Sequence, residues 1–305
     1  VSTRIAGVLA PVVTPFTRDY APDGARLAQH CRWLVANGAG LAVFGTNSEA
    51  NSMAVGERID LLDGLVGAGI DPARMMPGTG ACALPDVVRA TSHAVRAGCA
   101  GVLMLPPFYY KGVSDEGLYR HFAEVISRVG DARLRIYLYH IPPVSQVPVS
   151  LALIERLVKD FPGIIAGVKD SSGDWNNTQA MLERFAPAGF DVFAGSEVFL
   201  LANMRGGGVG CISATANVNP AAIAALHRGW RGADAETLQA GLDRVRTTFQ
   251  KYPMIPALKH AVAHWSGDDA WRTVRPPQIE LTGAQASSLI ADLQAVGFAM
   301  PGLRG

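Results

Sequence analysis

The chain has 305 residues, of which 49% are hydrophobic and 17% charged, and its formal net charge is +1. That balance leaves no basic field for nucleic acid and no acidic tail for a charged partner. No apolar run approaches the roughly 18 residues of a membrane span and no signal-peptide pattern is found, so a cytoplasmic protein with no membrane contact is expected.

In chain order, short β-rich runs alternate with amphipathic segments. Gly7 to Phe16 is the first predicted strand, and Ala25 to Asn37, closed by Gly38, the first helix. Leu41 to Gly45 predicts a strand and Ser52 to Ile70 a helix ended by Asp71-Pro72. Arg74 to Gly80 is a weaker strand, followed by helix Leu84 to Ala97 and strand Gly101 to Leu105. Helix Ser114 to Val129 leads to strand Leu134 to Tyr139, and helix Ser150 to Asp160 leads to the apolar run Ile164 to Lys169. Helix Asp174 to Phe185, strand Phe190 to Ala194, a short helix Phe199 to Met204, strand Val209 to Ser213 and helix Pro220 to Trp230 follow.

Eight strand-helix units are the count of a closed parallel (β/α)8 TIM barrel, whose strands are buried on both faces and therefore read as continuous apolar runs. From about Ala233 the pattern changes to three helical segments, Ala235 to Lys251, Pro256 to Trp265 and Thr282 to Val296, with no strand between them. The expected organisation is a barrel over residues 1–232 with a C-terminal helical extension over 233–305 packed on it. Cys31, Cys82, Cys99 and Cys211 show no C-x-x-C spacing, which argues against a zinc site and a disulfide framework and for reduced thiols.

Barrels carry their chemistry at the carboxyl ends of the strands, so the residues just after each apolar run are the informative ones. Lys169 ends such a run and is followed by the polar loop Asp170-Ser171-Ser172-Gly173-Asp174. It is either a surface lysine at a strand end or a desolvated amine whose pKa falls from about 10.4 towards about 7 to 8, able to attack a ketone and form a Schiff base. After the second strand, Gly45-Thr46-Asn47-Ser48-Glu49 offers small polar groups and backbone donors suited to a carboxylate, although Asn and Ser also suit an ordinary helix cap. Pro106 to Lys111 follows the fourth strand, Tyr139-His140-Ile141-Pro142 ends the fifth, and Gly195-Ser196-Glu197 follows the seventh.

These motifs resemble those of the dihydrodipicolinate synthase and N-acetylneuraminate lyase superfamily of pyruvate-dependent class I aldolases, over essentially the whole chain. Gly45-Thr46-Asn47-Ser48-Glu49 is similar to G-[TS]-T-G-E, Tyr139-His140-Ile141-Pro142 to Y-N-[VI]-P, and Gly167-Val168-Lys169 to G-[VI]-K. The resemblance implies that Lys169 is the Schiff-base lysine for pyruvate or a related 2-oxo acid, with no cofactor beyond that covalent imine and no metal. It implies Tyr139, hydrogen-bonded to Thr46, as general acid/base, and Thr46 and Asn47 as holders of the substrate carboxylate. It implies Tyr110 as a residue that crosses a tight-dimer interface to complete a neighbour's proton relay, and hence a homo-oligomer, dimer or tetramer.

The chain also departs from the pattern. The arginine with which dihydrodipicolinate synthases bind the carboxylate of the aldehyde corresponds to Val144, which cannot make a bidentate charge-assisted contact. Asn47 and Ser48 alter the carboxylate loop, and His140 replaces an asparagine and is expected to alter the wall behind the phenol. By the resemblance, Val144, His140, Ser171, Gly195, Ser196, Glu197, Ile212 and Ser213 complete the substrate pocket. Their hydroxyls and single carboxylate suit a neutral polyhydroxylated chain, as in sugar-acid lyases or dehydratases, while Val144 and Phe108 suit an aromatic aldehyde. The expected activity is retro-aldol cleavage, condensation or dehydration of a 2-oxo acid; the alternatives are dihydrodipicolinate synthase activity and a non-catalytic 2-oxo-acid sensor. A sensor has no need of the whole relay of Lys169, Tyr139, Thr46 and Tyr110. His260 and His264 lie four apart on a predicted helix but lack the Glu of H-E-x-x-H, and Gly206 to Gly210 reads as a tight turn into the eighth strand rather than a phosphate loop.

Overall fold

The computed structural model describes residues 4–303. Seven strands make one parallel sheet in the order β2-β1-β7-β6-β5-β4-β3: β1 (Gly7–Ala10), β2 (Gly40–Leu41), β3 (Val102–Met104), β4 (Ile136–His140), β5 (Ile165–Asp170), β6 (Asp191–Ala194) and β7 (Gly210–Ile212). Residues 75–78 close the circle, bridging Leu41 through Met75 and Leu103 through Gly78. Met76 and Gly78 donate to the carbonyls of Leu41 and Val43 at 2.8 and 2.7 Å, and Pro77 accepts from Leu103 N at 2.9 Å. Pro77 has no N–H to give, so this eighth stave makes isolated bridges where the sequence predicts a full strand. The same argument shortens the first strand: Pro11 follows Ala10, and the ladder stops there rather than at Phe16. Gly78 is a glycine because the carbonyl of Phe44 lies where a Cβ would stand.

Twelve α-helices accompany the sheet among the described residues. Around the barrel run α1 (Gly24–Ala36), α2 (Val55–Gly67), α3 (Leu84–Arg96), α4 (Asp115–Val129), α5 (Pro142–Ser145), α6 (Leu151–Asp160), α7 (Trp175–Phe185), α8 (Leu200–Arg205) and α9 (Pro220–Gly229). Ser114, Ser150 and Asp174 cap α4, α6 and α7 through their side chains, each satisfying a backbone donor that a helix start leaves open. The four-residue α5 was not expected; prolines at its first two positions are preorganised for a helix start. Beyond the barrel come α10 (Ala235–Gln250), α11 (Met254–Ser266) and α12 (Gly283–Ala295). None of these helices is long and apolar enough to cross a membrane.

The buried side chains form three groups. Leu9, Ala42, Met76, Leu103, Tyr137, Tyr139, Phe193 and Ile212 fill the barrel's interior, and a larger shell lies between the strands and the surrounding helices. The third joins Val13, Ala214 and Val218 of the barrel to Phe249, Leu258, Val262, Leu289 and Leu293 of α10 to α12.

Polar contacts lock that joint. Lys259 of α11 is fully buried and its Nζ lies 2.8 Å from Glu49 Oε1, while the backbone N–H of Arg275 donates to Glu49 Oε2 at 2.8 Å. Burial pulls the Lys259 ammonium below the ordinary lysine range, and the Glu49 carboxylate opposes that shift. Glu49 itself adopts a left-handed backbone, φ +56°. Removing one partner of such a pair leaves a buried charge unmatched. Glu49→Gln is therefore expected to cost about 3–5 kcal/mol in urea-unfolding stability, and Lys259→Met in the same background is expected to return part of it.

Candidate active site

A cleft of about 660 Å³ opens at the carboxyl ends of the strands. Its floor is Lys169, the fifth residue of β5, which is 3% exposed although it ends an apolar run. Strand geometry turns alternate side chains to opposite faces. Lys169 therefore enters the cleft while the carboxylate of Asp170 turns out, where Ser172, Asn177 and Thr178 hydrogen-bond it. Those contacts order the loop between β5 and α7.

Lys169 Nζ donates to the hydroxyl of Tyr139 at 3.1 Å and lies 4.2 Å from the centre of its ring. Tyr139 faces Lys169 across the β4–β5 register. Its hydroxyl is also 3.4 Å from Thr46 Oγ1, so lysine, phenol and threonine form a chain of groups between which protons can pass. Burial alone pushes the Tyr139 phenol up, but the cationic Lys169 and the hydroxyls of Thr46 and Ser171 outweigh it and hold the phenol below the ordinary tyrosine value. Tyr137, two residues back on the same strand, meets the opposite surroundings: burial and the Asp191 carboxylate, 3.0 Å from its hydroxyl, push it up. One strand thus carries an anion-favouring tyrosine at the cleft and an inert one beneath it.

Thr46 and Asn47 sit in a short 3-10 turn, residues 46–48, between two left-handed residues, Phe44 and Glu49. The buried Ser48 hydroxyl accepts from Gly45 N at 3.1 Å and the Ser48 carbonyl accepts from Thr14 Oγ1 at 2.8 Å, which fixes the turn from inside. The first N–H groups of such a turn have no partner within it, and the turn presents Thr46 and Asn47 to the cleft.

Of the other residues singled out from the sequence, Ser171, Gly195, Ser196 and Val144 also line the cleft. Gly195 packs so closely on Ser171 Oγ and the Asp170 carbonyl that a Cβ would overlap them. Five others do not line it. His140 takes the opposite face of β4 from Tyr139, and its Nδ1 accepts from Val149 N at 2.9 Å, so it braces the strand against the following loop instead of forming the wall behind the phenol. Ile212 belongs to the interior packing of the barrel. Glu197 and Ser213 are buried behind the cleft wall, where the carboxylate accepts hydrogen bonds from the hydroxyls of Ser213 and Thr215. Tyr110 stands apart from the cleft, 72% exposed and edge-on to the equally exposed Tyr109.

The remaining wall comes from the helical extension, through Arg246 and Gln250 of α10, Pro253, Met254 and Ile255 at the start of α11, and Gln278. None of these was singled out from the sequence, because they follow no barrel strand. The one available signal was on α10, where Gln239 and Arg246 share a helix face with the buried Leu242.

Residues 4–296 match the Dihydrodipicolinate synthetase family. An uncharacterised DapA-like lyase of Chloroflexus aurantiacus is 30% identical over 95% of this chain and 96% of its own length. Dihydrodipicolinate synthase from Agrobacterium tumefaciens is similar in structure, with TM-score 0.88 and 32% identity over 96% of this chain and 99% of that one. YagE, a prophage protein of the dihydrodipicolinic acid synthase family from E. coli K12 solved in complex with pyruvate, has TM-score 0.89 and 26% identity over 97% of this chain and 100% of its own.

The opposed shifts of the two tyrosines on β4 can be measured. Lys169→Met keeps the bulk and removes the cation, so the Tyr139 phenol is expected to titrate at higher pH than in the unchanged protein. Phenolate absorbance followed against pH, with Tyr139→Phe as the subtraction control, reads the shift directly.

Proposed function

The chain belongs to the dihydrodipicolinate synthetase family, and from that premise we propose that it is a class I lyase in which Lys169 forms an imine with pyruvate or a related 2-oxo acid. The observation that carries this reading is a lysine 3% exposed at the floor of an open cleft, with its amine 3.1 Å from a phenol. In the proposed cycle the neutral amine attacks the ketone carbon, the C–N bond forms and the carbonyl oxygen becomes a hydroxyl. The Tyr139 phenolate, having first taken the proton that leaves the lysine ammonium neutral, delivers it as the phenol to that hydroxyl, which departs as water and leaves the imine nitrogen protonated. Thr46 orients the phenol, and the Thr46–Asn47 turn receives the substrate carboxylate. The resulting imine cation withdraws electrons from the adjacent carbon. A bond there is then made or broken as an aldol, retro-aldol or dehydration step, and the cycle requires no other electron sink. Residues 233–305 act in this proposal as a helical extension that completes the cleft.

The relative from Acidiphilium cryptum named 4-hydroxy-tetrahydrodipicolinate synthase, 31% identical over 94% of this chain, raises that narrower activity. Val144 speaks against it, since an isopropyl group lines the cleft where a guanidinium is expected. We further infer a tight dimer, supported by Tyr109 and Tyr110, an aromatic pair left 73% and 72% exposed on the loop after β3. Sedimentation velocity is expected to show at least a dimer, weakened by Tyr110→Ala.

The decisive test is intact mass after incubation with pyruvate and sodium borohydride. A single reduced pyruvyl adduct is expected on the unchanged protein and none on Lys169→Ala; an unmodified protein, beside a labelled relative, would falsify the reading. Tyr139→Phe is expected to slow adduct formation about 10²- to 10⁴-fold, the range for a lost general acid/base.

A further inference from the structure

The cleft contains a second cation that the imine chemistry does not use. Among the residues lining it, Lys169 and Arg246 are the cationic side chains and Asp170 the acidic one, and the Asp170 carboxylate is turned away onto Ser172, Asn177 and Thr178. The Arg246 side chain is 14% exposed, and its Nε is buried with no hydrogen-bond partner. A buried donor left unpaired is costly and uncommon.

What Arg246 does contact explains its placement. Its Nη1 lies 3.6 Å from Glu197 Oε2 and 3.4 Å from Ser213 Oγ. Glu197 is itself 1% exposed and already accepts from the hydroxyls of Ser213 and Thr215. Gln239, two turns before Arg246 on the same face of α10, donates to the Glu197 carbonyl at 3.0 Å and accepts from Leu201 N at 3.1 Å, which seats α10 on the segment after β6. Glu197 thus restrains one corner of the guanidinium at long range; Nε is shut off from solvent, and the side chain, still 14% exposed, lines the cleft. A planar guanidinium edge matches a carboxylate.

We propose that Arg246 is a specificity-determining residue that binds a second carboxylate on the substrate, so that this cleft takes 2-oxo acids carrying another carboxylate distant from the ketone. The inference rests on the Lys169 reading for the orientation of the ligand, with the first carboxylate at Thr46 and Asn47 and the second on the wall supplied by α10. It replaces the neutral chain expected from the sequence, because the one carboxylate counted there, that of Glu197, lies behind the wall and the charge presented to the cleft is the arginine's. It also places the anion site on the side opposite in origin to Val144, on the helical extension instead of the loop after β4.

Calorimetric binding of 2-oxoglutarate and 2-oxoadipate, each beside its chain-matched monoacid, 2-oxopentanoate and 2-oxohexanoate, tests the assignment. At least one diacid is expected to bind about tenfold or more tightly than its monoacid, the scale of a hydrogen bond to a charged group. In Arg246→Gln that preference is expected to vanish while both monoacids stay within about twofold, a hydrogen bond being worth far more than that in a formed site. Equal binding of diacids and monoacids by the unchanged protein overturns the proposal, as does an Arg246→Gln variant that weakens both classes alike, which marks a merely structural arginine. Should Arg246→Gln fail to fold, Arg246→Lys keeps a charge without the planar edge and is expected to lose part of the preference. Borohydride trapping of the unchanged protein, run beside the binding series, separates the two readings: a diacid preference without any adduct sinks the imine alone, and an adduct without a preference sinks the Arg246 assignment alone.

Discussion

A carboxylate excluded from water has to be answered by charge and hydrogen bonds from the protein, and at Glu49 the answer comes from far along the chain. Lys259 reaches it from α11 and the Arg275 backbone from the segment that follows, so one buried side chain ties the helical extension to the loop after β2. The Arg275 side chain continues the joint, contacting Glu57 at the start of α2 and the carbonyls of Tyr20 and Ser52. Thr46 and Asn47 belong to the same loop. The geometry of the cleft therefore depends on a pair of charges that never faces the ligand.

The two tyrosines of β4 show how burial alone fails to set an acidity. Both point into the barrel, and burial pushes both phenols up. Beneath the cleft the neighbour is the Asp191 carboxylate, which adds to the effect; at the cleft it is Lys169, which reverses it. A cation 3.1 Å from a phenol favours the phenolate, and that form is the one able to take a proton from a lysine ammonium.

The cleft is composite in origin. Strand ends supply the lysine, the phenol and the polar turn, all carried by residues whose backbone is held in the barrel ladder or its first loops. The opposite wall comes from α10 and α11, which are joined to the barrel by the apolar group around Val13, Ala214 and Phe249 and by Gln239 on the Glu197 carbonyl. The two walls of the cleft thus come from different parts of the chain, and one can vary without disturbing the register of the other.

Local pattern was enough to place Lys169, Tyr139 and Thr46, because each lies at the end of an apolar run and barrel topology sends every such end to one rim. It was also enough to put the last three helices outside the barrel, since no strand separates them. Period-two alternation would even have told His140 from Tyr139, as adjacent strand residues cannot share a face. Residues 75–78 were faint for a local reason, the missing donor of Pro77. Other placements were not legible at all. Glu197 reads as a pocket carboxylate after a strand, and only the approach of Ser213, Thr215 and Arg246 from later elements buries it. Arg246 and Lys259 read as ordinary cations on amphipathic helices. Sequence periodicity reports which face of an element is buried, whereas what that face meets is decided by how α10 and α11 dock on the barrel, a contact between segments too far apart in the chain to leave a local pattern.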